Sequence, residues 1–276
     1  MPSRTMERVS FLDRPSARLS CAGVERLIAE LREVAGTCFE QIPEYHMLAA
    51  DPDALRAGSL TLARDRAGRL IGFCAARRLH VDGVGDVLHL GLTCVRPDAR
   101  GTRLTHRLLS ALILQHALRS PVHGLWVSNV ASVVSSLGNV ALHFEDVYPS
   151  PFVAGPPTEV HKTIARTLAA CHRDRVHIRR DAFFDPVRWV FEGGNADTIF
   201  AKRADDGRYH HRDPKVTRWF LARADLDRGD AVLQVGRVSL SGLIRYGLRS
   251  HGATVPVLGR WLRPRRLLGG FGAESA

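Results

Sequence analysis

Leu92-Thr93-Cys94-Val95-Arg96-Pro97-Asp98-Ala99-Arg100-Gly101-Thr102-Arg103-Leu104-Thr105 is the stretch at which the period of this sequence changes. Before it, Asp86 to Val95 alternates as a strand does and stops at Pro97. After it, Leu104, Leu108, Leu109, Leu112 and Ile113 recur at helical spacing to about Arg119. A strand that ends in a tight loop and opens a helix presents unpaired backbone N–H groups at the positive end of the helix dipole. Together these bind phosphate. Arg96, Arg100 and Arg103 add cationic side chains beside those amides. The stretch holds neither a Walker lysine nor a GxGxxG.

Upstream, Val24, Leu27, Ile28, Leu31 and Val34 mark a helix over Gly23 to Cys38. Ser59 to Arg64, Leu70 to Val81 and Asp86 to Val95 then read as three strands joined by short turns, an antiparallel meander. Downstream, Gly124 to Val127 is a short strand, and Asn129, a favoured N-cap residue, opens a helical stretch to Gly138. Three strands, helix, strand, helix is an α/β order whose sheet turns from antiparallel to parallel across one crossover. Residues 1–20 form an arm with a short strand at 9–12, residues 21–157 the core, and residues 158–276 a C-terminal extension or second lobe. In that last part Thr158 to Cys171 and Pro214 to Arg223 read as helices. Trp189 to Phe191, Thr198 to Phe200 and Ala231 to Val238 read as strands.

With these surroundings, Val95-Arg96-Pro97 and the following loop resemble motif A of the GCN5-related N-acetyltransferase (GNAT) superfamily, in which a strand ending V-x-P leads into a [QR]-x-x-G-x-[GA] loop and a helix. Arg100 falls where that loop has Gln or Arg. Arg103 and Thr105 stand where it has Gly and Gly/Ala, and no tyrosine occupies the position of the family's helix tyrosine. The resemblance spans about residues 21–150. It implies a GNAT-like fold, a mixed sheet flanked by helices, and acyl transfer from a thioester to an amine by direct attack. The donor it implies is acetyl-CoA or a longer acyl-CoA, and the replaced glycines leave room for an acyl carrier protein instead. The donor's contacts are expected from Thr93, Cys94, Val95, Arg96, Arg100, Gly101, Thr102, Arg103, Leu104, Thr105 and Asn129.

Direct attack needs a phosphate cradle, an N–H at a strand bulge that polarises the thioester carbonyl, and a group to take the amine's proton. Strand alternation puts His89, Gly91, Thr93 and Val95 on one face and Cys94 on the other. An imidazole, with an ordinary pKa near 6.5, suits the proton transfer, which makes His89 the candidate base. Ser135 and Ser136 lie near the family tyrosine's place and are candidates to protonate the leaving thiolate. Tyr45 and His46 lie where the family shapes its acceptor site.

The chain has 276 residues, enough to bury a core without a disulfide or metal staple, and its 39 basic and 28 acidic side chains give a formal charge of +11. The five cysteines are widely spaced and none has zinc-site spacing, so no metal is expected. The N-terminus lacks a secretory h-region, which points to a cytoplasmic protein. From Arg237 to Ala276 there are seven arginines and one acid, interleaved at first with Leu243, Ile244 and Tyr246. Such a tail suits an anionic membrane surface or an acidic carrier protein, and no nucleic-acid motif accompanies it. The acceptor is expected to be a small-molecule or protein amine. Two other classes remain open at this stage: a non-catalytic ligand-binding or scaffold module on the same fold, and a binder of anionic surfaces that acts through its tail.

Overall fold

A computed structural model describes residues 8–119 and 124–239, together with Gly242. The described elements run, in chain order, β1 (Arg8–Asp13), α1 (Cys21–Gly36), α2 (Pro52–Ala57), β2 (Gly58–Arg64), β3 (Leu70–Val81), β4 (Gly85–Val95), α3 (Leu104–Ala117), β5 (Leu125–Ala131), α4 (Val134–His143), β6 (Glu145–Tyr148), α5 (Glu159–Cys171), β7 (Phe183–Asp185), β8 (Val190–Glu192), α6 (Pro214–Leu221) and β9 (Ala231–Val238). All nine strands belong to one sheet, in the order β1-β2-β3-β4-β5-β9-β8-β7, with β6 also pairing β9. The meander β1–β4 is antiparallel, β4 and β5 are parallel, and β5–β9 is antiparallel again. This is the mixed sheet expected from the sequence.

Local chemistry explains most of the boundaries. Ser20 caps α1 by accepting from the Gly23 amide, and Thr158 and His161 form a capping box at the start of α5. Asp51 and Asp213, each followed by proline, start α2 and α6. The helices cover both faces of the sheet. On one face α3 packs over β1–β4, with Leu104, Leu108 and Leu112 against Ala76, Leu88 and Val95. On the other face α1 and the 45–48 segment cover Leu60, Phe73 and Ala75, while α5 covers Leu79, Val87 and Leu233.

Two sequence expectations change here. Asn129 lies inside β5, paired with Leu90 on one side and Gln234 on the other, and α4 begins only at Val134. Its N-cap residue, Val133, has no side-chain cap, so the capping preference of asparagine gave way to sheet pairing. Thr198–Phe200 forms turns and no strand, the Thr198 hydroxyl donating to the Asn195 carbonyl and accepting from the Phe200 amide. His211 is buried against Gly138, where an added Cβ would come within 2.5 Å of its ring.

The sheet also continues past the expected boundary at residue 157. β9 pairs with β5 along its whole length, from Leu125↔Val238 to Ala131↔Val232. The segment between β6 and β9 is therefore an excursion that adds β7 and β8 at one edge of the sheet and returns through β9 beside β5. Arg237 and Val238 end β9, and the basic tail from Leu240 lies outside the described residues apart from Gly242.

Candidate active site

β4 and β5 pair only at Leu88↔Val127, His89↔Ser128 and Leu90↔Asn129, and part beyond that point. The remaining half of β4, Gly91–Val95, is paired with β3 alone. Where the strands part, β4 bulges: Cys74 faces Thr93 and Ala76 faces Leu90, so Gly91 and Leu92 together oppose Ala75. The extra residue inverts the alternation. Leu88, Leu90 and Val95 pack on the α3 face, whereas Leu92 and Cys94 pack on the α1 face. The expectation that His89, Thr93 and Val95 share a face is corrected accordingly. His89 lies on the α1 side with Cys94, and one inserted residue is the reason.

The bulge is occupied. The hydroxyl of Tyr45 stands against it, facing the Leu92 amide; the residue is buried, and that burial raises its pKa. Only glycine is tolerated at position 91, because a Cβ there would stand 2.0 Å from the Tyr45 Oη and 3.2 Å from the Ala75 carbonyl oxygen.

At the far end of β4 the loop leaves its backbone amides open. Arg103 sits in the left-handed region at φ 61°, Gly101 is at φ 78°, and α3 starts with no side-chain cap. The amides of Gly101, Thr102, Arg103, Leu104, Thr105 and His106 donate to no backbone carbonyl among the described residues. A Cβ on Gly101 would meet nothing within 4 Å, so the approach is open. Arg100, Gly101, Thr102, Arg103 and Thr105 are exposed, while Leu104 is anchored in the core. Thr102 closes the loop through a 2.8 Å hydrogen bond from Oγ1 to the Ala99 carbonyl. Arg96 does not join them: its Nη2 lies 2.5 Å from Glu33 Oε1 and its Nε donates to the Leu70 carbonyl at 2.9 Å. It clamps α1 to the sheet. The side-chain Nδ2 of Asn129, at the last paired position of β4 and β5, is buried with no hydrogen-bond partner among the described residues. Exposed loop amides, cationic side chains and an orphaned buried donor at the splay fit a pyrophosphate-bearing thioester donor.

A cysteine pair borders the same strand. Cys38 Sγ lies 3.4 Å from the Val95 carbonyl oxygen. Cys94, with help from Thr37 and Arg100 and against the effect of burial, holds the Cys38 thiol below its usual range. Cys94, buried and donating to that sulfur, is pushed up. Thr93 donates through its hydroxyl to Cys74 Sγ at 3.1 Å.

On the α1 side a narrow cavity opens at the seam between the 45–58 segment and the excursion after β6. Tyr45, His46, Arg77, His89, Arg175 and His177 line it. His89 Nδ1 is hydrogen-bonded to Ser128 Oγ at 3.1 Å, and the residue is 4% exposed. Burial, then the Arg77 guanidinium and His172, depress its pKa to about 3. The ordinary imidazole value expected from sequence is thus lost to desolvation. His177 is likewise lowered to about 3, by burial and by His46. Its ring packs on Tyr45 at 4.3 Å and on His46 at 4.4 Å between centroids. His46 Nε2 reaches the Asp174 carbonyl, and Phe39 meets Phe200 edge-on, so the excursion forms one wall of the site.

The structure thus gathers Tyr45, His46 and His89 in one cavity, and Arg100 to Thr105 in one loop at the other end of the β4 half-strand. Ser135 and Ser136 stand half-buried in the first turn of α4. Sequence reasoning missed Arg77, Arg175, His177 and Cys38. Arg77 is a strand residue flanked by Arg78, and the other three sit in segments with no motif.

Residues 26–138 match the acetyltransferase (GNAT) family. No curated protein matches the chain. Among solved structures, aminoglycoside N-acetyltransferase AAC(6')-Iy in complex with CoA is similar at 17% identity, covering 58% of this chain and 99% of its own, with a TM-score of 0.38. Escherichia coli ElaA is similar at 17% identity, covering 52% and 93%, with a TM-score of 0.37. The ribosomal-protein-alanine N-acetyltransferase of Brucella melitensis biovar Abortus 2308 is similar at 19% identity, covering 41% and 74%, with a TM-score of 0.32.

Proposed function

We propose, on the premise that this chain belongs to the acetyltransferase (GNAT) family through its residues 26–138, that it transfers an acetyl or other short acyl group from a coenzyme A thioester to a primary amine, with attack at the β4 bulge. The observation that carries this reading is the alignment of three features along one half-strand. These are the open amides before α3, the splay of β5 from β4 after Leu90, and the bulge at Gly91–Leu92 against the cavity-lining Tyr45.

When bound, the donor supplies an activated thioester carbonyl. The amides of Gly101 to His106 would hold its pyrophosphate, with Arg100 and Arg103 beside them and the Asn129 amide available to the arm that lies in the splay. Leu92 N–H would donate to the carbonyl oxygen and to the oxyanion that forms on it. Tyr45 and that oxygen compete for one amide, so donor binding moves the Tyr45 hydroxyl aside and widens the cavity behind it.

The acceptor enters from the α1 side. The desolvation and the Arg77 charge that keep His89 neutral act equally on an amine, and hold it in its free-base form. A strong general base is then unnecessary. The role of His89 is to accept a hydrogen bond from the amine N–H and to aim the lone pair, with Ser128 fixing the ring. As the C–N bond forms and the C–S bond breaks, the amine's proton passes to the leaving sulfur. Ser135 and Ser136, in the first turn of α4, are the side chains that would relay it.

Thiol release and amide formation, measured together with acetyl-CoA and a panel of primary amines, test this reading. Equal yields of thiol and amide are expected. Acetyl-CoA that binds but gives no amide with any amine, peptide N-termini included, would mark a non-catalytic member of the family.

A further inference from the structure

Arg77 is the anomaly of the cavity. Its side chain is 9% exposed, yet its Nε is buried without any hydrogen-bond partner among the described residues. Its one ion pair is a 3.5 Å contact from Nη2 to Asp53, a carboxylate that is itself half-exposed. Asp53 is also shared with Arg56 at 3.7 Å and with Arg175, from the excursion, at 3.6 Å. Three guanidiniums therefore surround one carboxylate, each at long range. The other acid of this group, Asp51, is held by His46 at 3.1 Å and by the amides of Asp53 and Ala54. A buried guanidinium left short of partners is costly, and native proteins rarely leave one so. Arg77 is the cross-strand partner of His89, on the strand beside the bulge, and Arg175 lies on the opposite wall of the cavity.

We infer that the acceptor is an amine that also carries a carboxylate, an amino acid or a close relative, and that Arg77 is the specificity-determining residue that receives this carboxylate, with Arg175 assisting. This rests on the acyl-transfer reading above and deepens it. The geometry suits a bifunctional molecule. The amine must reach the Leu92 amide, where the carbonyl is held, while an anion two to three residues back along the sheet meets Arg77. A guanidinium offers a planar fork of donors that matches a carboxylate, and Nε is part of that fork. The same cation that disfavours a protonated amine favours the anion, so one residue sets both the charge state and the orientation of the acceptor.

The test pairs each amino acid with the amine that lacks its carboxylate: lysine with cadaverine, phenylalanine with phenethylamine, alanine with ethylamine. Wild-type kcat/KM with acetyl-CoA is expected to favour the carboxylate-bearing member by about 10-fold or more, the worth of one charge-assisted hydrogen bond. In Arg77→Gln that ratio falls toward one. Asp53→Asn, which removes the competing internal carboxylate, lowers KM for the amino acid. Calorimetric titration of the amino acids without donor reads the same contact separately: affinity drops in Arg77→Gln, recovers in part in Arg77→Lys and rises in Asp53→Asn. Circular dichroism verifies that each variant is folded, and should Arg77→Gln not fold, Arg77→Lys and Asp53→Asn carry the test. Decarboxylated amines used as well as their partners, or a preference and an affinity indifferent to Arg77 and Asp53, would overturn the inference. If no amine is acetylated but amino acids bind in an Arg77-dependent way, the acyl-transfer reading fails and the anion site stands.

Discussion

Replacing Tyr45 with phenylalanine isolates the contact on which the bulge geometry depends. In the native chain the Tyr45 hydroxyl is buried at the bulge and faces the Leu92 amide. A thioester carbonyl that takes that amide must first displace the hydroxyl, so part of its binding energy is offset. One neutral hydrogen bond is worth about 0.5–1.5 kcal/mol net. Tyr45→Phe is therefore expected to tighten acetyl-CoA binding by about 2- to 12-fold. The same change leaves the Leu92 amide unsatisfied in the free protein, which costs about 1–3 kcal/mol of stability. The aromatic ring and its packing on His177 are retained, so no cavity is created. Calorimetric titration with acetyl-CoA and urea unfolding of the free protein measure the two effects, and they should move in opposite directions. Weaker donor binding in Tyr45→Phe would show that the hydroxyl contacts the donor instead of competing with it, and would refute the reasoning.

Other outcomes follow from the same geometry. Arg100→Ala and Arg103→Ala are each expected to weaken acetyl-CoA binding by roughly 10-fold at low salt, with the loss shrinking as salt is raised. Arg96→Ala should leave that affinity nearly unchanged and lower stability by about 2 kcal/mol in chemical denaturation, because its partners are Glu33 and the Leu70 carbonyl. His89 and His177 have folded pKa values near 3, below the ordinary 6.5. The unfolded chain therefore binds protons that the native chain refuses. The stability from each is fully present above pH 6.5 and is lost as pH falls from 6.5 toward 3. Urea unfolding across that window should show a slope reduced in His89→Gln by up to about 1.4 kcal/mol per pH unit. The pH–rate profile between pH 5 and 8 should keep its ascending limb in His89→Gln, since that limb belongs to the acceptor amine. Its loss would restore His89 as a general base.

Much of the frame was legible because it rests on local patterning. Leu70 to Val81 and Ala231 to Val238 form strands with the boundaries read from sequence. The Val95-Arg96-Pro97 stretch also marked the correct strand-to-helix turn. What failed was whatever depends on a residue count across strands or on distant contacts. Alternation cannot reveal a bulge, because the extra residue at Gly91–Leu92 is defined by its pairing with Ala75 on another strand. Arg96 looked like a phosphate ligand by its position in the loop, and only the packing of α1 brings Glu33 to it. The central place of β9 is invisible locally, since its neighbour β5 ends 100 residues earlier. Arg175 and His177 carry no motif, and they enter the cavity only because the excursion between β6 and β9 folds back over the sheet.

The most direct measurement is the crystal structure of the acetyl-CoA complex. The expected result places the pyrophosphate on the amides of Gly101 to His106 and the thioester oxygen on the Leu92 amide, with the Tyr45 hydroxyl displaced from the bulge. A donor bound with its carbonyl elsewhere, and Tyr45 still on Leu92, would contradict acyl transfer at this bulge.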